Sequence, residues 1–465
     1  MRLVAAAALL FLPLLAVPAS ASTTWTPCPT SQEPTAECGF VDVPIDRADP
    51  GSGTTRLALV RLPATHPAQR IGSLLINPGG PGGSGVGYTQ FGAITDPVLR
   101  QRFDIVGFDP RGVWFSKPAI TCDPAQLADP SVSRFPSTAT KFAALVEHNR
   151  AVGETCLAKT GPLLGHVDTR SAAEDVDAIR VALGEQRISW LGVSYGTELG
   201  AAYAEAHPDR VRAMVLDGAI DHGRPPRQSI VEEAAATEDS LVRFASWCSA
   251  DDGCALHGQD VLADYDNLVA HGAWSSGLGR VATGEELASG VYGYLYIRDQ
   301  WPDLGRALAA ASTDAAQLTS AAQFFSPSYG MYRAIGCQDF PSPFTGVADL
   351  RATAAVVKTV APHSWRYSEW WDFASGCAGW PLPARNPPHP DRVHGVPPIL
   401  VVGGAHDPAT PLAWARGLAA DLEGAVLLTR LDDGHTGLLN SACARAAETK
   451  YLVSGLTPPR GTICR

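Results

Sequence analysis

Gly192-Val193-Ser194-Tyr195-Gly196 carries the most legible chemistry in this chain. It follows an apolar run, Ile188-Ser189-Trp190-Leu191, and precedes a segment of helical character, Thr197 to His207. G-x-S-x-G between a strand and a helix is the setting of a nucleophile elbow, a sharp turn that lifts a serine oxygen above a sheet. Glycine flanks the turn because side chains there would meet the adjoining strand and helix. The helix N-terminus beneath the serine favours negative charge developing in front of it. The blander alternative is a glycine-rich turn whose serine caps the next helix. The strand–turn–helix order favours the nucleophile.

A serine nucleophile needs a base to take its proton and an acid to orient that base. In this arrangement they follow the serine in the order acid, then histidine, on loops after later strands. Ile399 to Val402 reads as a strand and ends in Gly403-Gly404-Ala405-His406-Asp407-Pro408. Val426 to Leu428 reads as another, followed by Asp432-Asp433-Gly434-His435-Thr436-Gly437. Asp407 and His435 therefore stand where acid and base belong. Asp near Gly and Pro more often caps a turn, but order and strand-end placement favour a catalytic set. His406 reads as a neighbour of Asp407, and Asp432 and Asp433 as weaker rivals for the acid.

An oxyanion needs backbone donors from an earlier loop and from the residue after the nucleophile. Asn77-Pro78-Gly79-Gly80-Pro81-Gly82-Gly83-Ser84-Gly85 follows the strand Ser73 to Ile76 and supplies such a loop. Gly80 and Tyr195 are the expected donors. Gly80 to Gly85 also matches G-x-G-x-x-G, with Asp109 closing the next strand, as in a dinucleotide fold. Pro78, Pro81 and the explicit Ser/Asp/His set argue against that reading.

The elements that must position these groups alternate. Ser73 to Ile76, Phe103 to Phe108, Ile188 to Leu191, Val211 to Leu216, Ile399 to Val402 and Val426 to Leu428 are short apolar runs. They read as parallel strands buried on both faces. Phe40 to Ile45 and Leu57 to Leu62 suggest an earlier pair at a sheet edge. Ser171 to Leu183 places Val176, Ile179 and Leu183 at helical spacing. Strand–helix alternation implies an α/β sandwich. From 221 to 398 helical stretches and aromatics dominate, which suggests an inserted, mainly helical cap leaving through the stiff Pro387-Pro388-His389-Pro390. The expected division is a leader at 1–21, a core at 22–220, the cap at 221–398, and the rest of the core, with acid and base loops, at 399–465.

Taken together the motifs resemble those of the secreted tripeptidyl aminopeptidases and their relatives, in the α/β-hydrolase group that includes proline iminopeptidases. Asn77 to Gly85 is similar to that family's oxyanion loop, where iminopeptidases carry HGGPG. Asp109-Pro110-Arg111-Gly112 matches its DPRG loop, and Gly192 to Thr197 its elbow. Gly403-Gly404-x-x-Asp407-Pro408-x-Thr410-Pro411 matches its acid loop, and Gly434-His435 its base. The likeness runs from about Trp25 to the C-terminus. Two departures are Glu198, where relatives often carry an aromatic residue, and Val113-Trp114-Phe115-Ser116 in place of TGxS. Asp109 and Arg111 read as structural, holding their loop by charge-assisted bonds.

The resemblance implies an α/β-hydrolase sandwich with a mostly parallel sheet, and a serine peptidase that cuts peptides near a free N-terminus without a cofactor. An exopeptidase needs an anion for the terminal ammonium. Among Asp299, Asp339, Glu369 and Asp372, Asp339 is the first candidate, because Ile335-Gly336-Cys337-x-Asp339 resembles a recurring cap motif. Glu198 is a further candidate. The cap aromatics, Tyr292, Tyr296 and Trp370 among them, read equally as a pocket lining or as ordinary core. A proline iminopeptidase-type enzyme, a secreted carboxylesterase or lipase, and a non-catalytic binding protein on the same scaffold are the alternatives.

Arg2, the apolar stretch Leu3 to Val17 and Ala19-Ser20-Ala21 read as a signal peptide cleaved after Ala21, and hence export. Ten cysteines, all beyond that point, suit an exported disulfide framework. Sequential pairing would close five local loops, although sequence alone leaves the connectivity open. No C-x-x-C or His/Cys cluster suggests a metal. A net charge of −11 argues against nucleic acid as a partner, and a monomer acting on peptides, away from the membrane, is expected.

Overall fold

The computed structural model describes residues 23–29, 31–92 and 96–465. The leader expected at 1–21 lies outside them. Ten strands form one sheet: β1 (Thr26–Pro27), β2 (Glu37–Asp46), β3 (Asp49–Leu62), β4 (Gly72–Asn77), β5 (Phe103–Phe108), β6 (Ile188–Val193), β7 (Val211–Asp217), β10 (Leu400–His406), β11 (Val426–Asp433) and β12 (Ile463–Cys464). A separate hairpin pairs β8 (Ala273–Ser275) with β9 (Arg280–Ala282). The order across the large sheet is β1-β2-β3-β5-β4-β6-β7-β10-β11-β12. The pairs from β5 through β12 are parallel, while β1, β2 and β3 join antiparallel at one edge.

Every residue of β4, β5 and β6 is buried, as parallel strands covered by helices on both faces require. Successive side chains alternate between two cores. Leu75, Val106, Trp190, Leu216 and Val401 enter one. Leu74, Ile105, Leu191, Val215 and Val402 enter the other. The helix expected at Ser171–Leu183 is α1 (Thr169–Ala182), capped by Asp168. Helix α2 (Tyr195–Ala206) leaves β6 at once through the elbow.

Between β7 and β10 the chain is mainly helical, including α3 (Pro226–Ala250), α4 (Gly284–Leu295), α5 (Tyr329–Asp339) and α6 (Glu369–Gly376). The aromatic core of this segment is continuous with the sheet domain, sharing one cluster with Tyr195 and Trp414, and Trp370 packs against Trp414 with ring centroids 4.4 Å apart. Sequence reading expects no buried strand there. The β8–β9 hairpin has three residues per strand and buries only Ser275 and Ala282, too short to leave a periodic signature.

The cysteines pair in sequence order: Cys28–Cys38, Cys122–Cys156, Cys248–Cys254, Cys337–Cys377 and Cys443–Cys464. Cys337–Cys377 ties α5 to the end of α6. No helix among the described residues is long and apolar enough to cross a membrane.

Candidate active site

Ser194 sits at φ +57°, ψ −127° and makes no capping hydrogen bond to its helix, so the helix-cap alternative has no geometric support. A non-glycine residue in this region is strained and persists only where its surroundings over-determine it. Here Ser194 N donates to Asp217 O at 2.9 Å. Its carbonyl accepts from Thr197 N at 2.8 Å and from Thr197 Oγ1 at 2.6 Å. The two flanking glycines are obligatory. A Cβ on Gly192 would lie 2.1 Å from Gly196 O, and one on Gly196 would lie 2.4 Å from Asn77 O.

Asp407 ends the β10 turn and His435 follows β11. His435 Nδ1 lies 2.9 Å from Asp407 Oδ1 and 3.0 Å from Oδ2. A proton on Nδ1 donates to the carboxylate and leaves Nε2 as the acceptor, the tautomer a general base needs. Asp407 also accepts from the N–H groups of Ala409, Thr410 and Thr436. Burial opposes its charge, but His435, the backbone donors and Arg430 outweigh burial and hold the carboxyl well below the usual range.

Arg430 is fully buried. Its Nη2 lies 3.2 Å from Asp407 Oδ2, and Nη1 donates to Asp432 O at 2.8 Å. Gly404 leaves room for it, since a Cβ there would be 2.5 Å from Arg430 Nη2. Sequence reading missed this arginine. Its signal was a lone charge in the otherwise apolar Val426-Leu427-Leu428-Thr429-Arg430-Leu431.

The base loop is held from two sides. Tyr296 O, in the inserted segment, accepts from His435 N at 2.7 Å, and its ring stands edge-on to His435 with centroids 4.7 Å apart. Asp217, at the end of β7, accepts from Gly437 N at 2.8 Å and Leu438 N at 2.7 Å.

Ser194, His435 and Gly80 line one cleft of about 390 Å³, roofed by Tyr292, Tyr296 and Tyr367 of the inserted segment. Ser194 Oγ makes no hydrogen bond to His435 Nε2, which is buried without a partner among the described residues; such contacts are often loose without substrate. Tyr195 is the first residue of α2, where an N–H has no intrahelical acceptor. Gly79, at φ +92°, brings the oxyanion loop against the elbow: a Cβ there would lie 2.9 Å from Ser194 Cβ and 3.0 Å from Tyr195 N. Asp109 secures that loop from below, accepting from Ser84 Oγ at 2.7 Å and Val86 N at 3.1 Å. Arg111 instead forks onto Asp175 with two 2.7 Å bonds.

The candidate acids separate sharply. Asp339, the first candidate for the ammonium, does not line the cleft. It is fully buried, with both oxygens bonded to Thr169 at the start of α1. Glu198 is also buried outside the cleft, 3.0 Å from His222 Nδ1. Burial opposes the His222 charge, but Glu198 outweighs it and lifts the imidazole to about 9. Asp299 is exposed and lies off the cleft. Asp372 is consumed by Arg134 and Arg333. Only Glu369, at the start of α6, reaches the cleft.

Glu369 Oε1 accepts from Tyr296 Oη at 2.9 Å. Directly behind it lies Glu233 of α3, which accepts from the N–H groups of Glu369 and Trp370 and from Tyr292 Oη. Burial, and then Glu233, push the Glu369 carboxyl well above its ordinary value. Burial lifts Glu233 to about 7 against those hydrogen bonds. Glu233 gave no sequence signal, because α3 presents several acids and only packing buries this one.

A strained serine beside a carboxylate-oriented histidine, on strand ends of a mostly parallel sheet, defines a hydrolase site of the α/β-hydrolase fold. Family models agree: the one described as alpha/beta hydrolase fold matches residues 72–259, and the one described as TAP-like protein matches 363–464. The chain is 35% identical over 476 residues to serine protease Hip1 of Mycobacterium tuberculosis, covering 95% of this chain and 90% of that one. It is 32% identical over 453 residues to tripeptidyl aminopeptidase of Streptomyces lividans, with 92% and 83% covered. It is 34% identical over 464 residues to carboxylesterase B of M. tuberculosis, with 94% and 87% covered. Among solved structures, proline iminopeptidase of Mycobacterium smegmatis aligns at a TM-score of 0.36 and 15% identity, covering 89% of this chain and 97% of that one. The chain belongs to the tripeptidyl aminopeptidase-like family of α/β-hydrolases, and its site is that of a serine hydrolase.

Proposed function

We propose that the protein is a secreted serine exopeptidase that releases short peptides from free N-termini. Ser194 Oγ attacks the scissile carbonyl while His435 Nε2 takes its proton. Gly80 N–H and Tyr195 N–H hold the oxyanion, and Asp407 fixes the imidazole and stabilises its charged form. His435 then protonates the leaving amine as the C–N bond breaks, leaving an acyl ester on Ser194. Water, deprotonated by His435, attacks that ester and frees the peptide acid and the serine.

The observation that carries the N-terminal specificity is Glu369, the one acid of the inserted cap that reaches the cleft of Ser194 and His435, with Glu233 behind it. A carboxylate in a partly desolvated roof rewards an ammonium and penalises a blocked terminus. The roof itself restricts the length of chain that fits. The tripeptidyl aminopeptidase relative supports this reading, and the five disulfides suit an exported protein.

The carboxylesterase relative favours a second reading, in which the same machinery cleaves simple esters. Kinetics on free and N-acetylated tripeptide p-nitroanilides, beside p-nitrophenyl butyrate, separate the two. Glu369→Gln is expected to lower kcat/KM for the free peptide by about 30-fold or more, as loss of one partner of a desolvated charge pair does, and to leave the ester within about threefold. Equal hydrolysis of free and acetylated peptides by the wild type would exclude the exopeptidase.

A further inference from the structure

Asp339 lies outside the cleft, yet its contacts end on a catalytic donor. Thr169 Oγ1 donates to Asp339 Oδ2 at 2.7 Å, and Thr169 N donates to Oδ1 at 3.0 Å. The same Thr169 hydroxyl lies 2.5 Å from Tyr195 Oη. All three side chains are buried, with Thr169 and Asp339 at 0% exposure and Tyr195 at 3%. The chain joins three elements: Thr169 begins α1, Tyr195 begins α2, and Asp339 ends α5.

Tyr195 follows the strained Ser194 directly, so the direction of its N–H depends on the torsions of the elbow. Strain of this kind would relax if the next residue were free to turn. The tyrosine ring is a lever attached to that peptide, and its far end is fixed by Thr169, which Asp339 grips at two atoms. An apolar contact would fill the same volume with less desolvation, whereas a fully bonded polar chain selects one orientation. Helix α5 also meets the other half of the oxyanion hole. Gly82 of the oxyanion loop abuts it so closely that a Cβ would lie 2.9 Å from Met331 Cβ and 3.1 Å from Tyr332 N.

We propose that Thr169, held in place by Asp339, is a positioning residue for the oxyanion hole: it locks the Tyr195 ring and thereby aims the Tyr195 N–H at the developing oxyanion. This rests on the acyl-transfer reading of the site and is independent of the N-terminal specificity. A group that aims a transition-state donor changes kcat and leaves ground-state binding alone.

The test compares Thr169→Val, Tyr195→Phe, the double variant and Thr169→Ser on trialanine p-nitroanilide and on p-nitrophenyl butyrate. Thr169→Val and Tyr195→Phe are expected to lower kcat on both substrates by about 10- to 100-fold, the scale of a misplaced catalytic group, with KM within about threefold. The double variant falls no further than the worse single, because the two hydroxyls act as one unit, and Thr169→Ser restores kcat to within about threefold of wild type. A kcat within twofold of wild type in Tyr195→Phe, a loss carried by KM, or fully additive losses would overturn the proposal. Should Thr169→Val not fold, Tyr195→Phe, which removes one hydroxyl, decides alone. Failure of the acyl-transfer reading would show separately, as activity retained by Ser194→Ala. Failure of the exopeptidase reading would show as equal hydrolysis of acetylated peptide by the wild type.

Discussion

At the scale of single residues, the site contrasts two kinds of carboxylate. Asp407 is buried among donors and beside Arg430, and it stays ionised because each oxygen is matched. Glu369 lies half-buried beside the buried Glu233, and burial and then Glu233 oppose its ionisation, while burial alone lifts Glu233. Below neutrality the Glu369–Glu233 pair therefore carries less than two negative charges. As pH rises through the value near 7 reached by Glu233, the pair gains charge, while a peptide amine remains an ammonium up to about pH 8. The ratio of kcat/KM for free over acetylated tripeptide amide should thus climb through neutrality and fall again above about pH 8. Both substrates use the same acyl-transfer machinery, so its contribution cancels in the ratio. A ratio that is flat with pH would remove Glu369 from amine binding. The stability sign is the reverse of a paired acid. The folded state holds the Glu233 proton to a higher pH than the unfolded chain does, so this group favours folding less as pH rises from 4.5 to about 7.

At the scale of elements, what could be read from the sequence was what a local segment dictates. The elbow, the acid loop and the base loop each lie within a few residues of a strand end, so strand–turn–helix context points at Ser194, and chain order with strand-end placement points at Asp407 and His435. The buried strands were legible because parallel strands are apolar on both faces. Contacts made only by packing were not legible. Asp339 and Glu369 are both acids in an aromatic-rich helical segment, and the motif at Ile335 to Asp339 puts Asp339 first although Glu369 is the one that reaches the cleft. Only the bonding of Asp339 to Thr169 at the start of α1, and the placing of Glu369 in the cleft lining, assigns one to the elbow and the other to the roof. Arg430 and Glu233 were overlooked for the same reason. The oxyanion loop is the element most exposed to a small change. Gly79→Ala would need a side chain at φ +92°, with its Cβ 2.5 Å from Val193 O and pressed on Tyr195 N. It is expected to lower kcat/KM by about 100-fold or more, the cost of losing an oxyanion donor, on ester and peptide alike. Steady-state kinetics beside thermal melts checks this, and near-normal kcat in a folded Gly79→Ala protein would show that the loop is not held as described.

At the scale of the whole molecule, five local disulfides close short loops, two of them anchored on the edge strands β2 and β12 through Cys38 and Cys464, and no cysteine is left free. Titration of thiols in denaturant without reductant should find none. Reduction should lower the melting temperature, since a native disulfide in a small secreted domain contributes about 2–5 kcal/mol. More than one or two thiols per chain would contradict the framework. Of the five, Cys337–Cys377 joins α5, which reaches the elbow through Asp339, to α6, which carries Glu369. The cap thus touches both the acyl-transfer machinery and the site proposed for the substrate amine. On this reading Ser194 is acylated by peptides whose free amine is held by that cap. The most direct measurement uses a tripeptidyl diphenyl phosphonate, with its amine free or acetylated, and mass spectrometry to locate the adduct. The free-amine reagent should label Ser194 alone, about 30-fold or more faster than the acetylated one, consistent with the charge-pair cost above, and should not label Ser194→Ala. Labelling at another residue, or equal rates for the two reagents, would contradict the account.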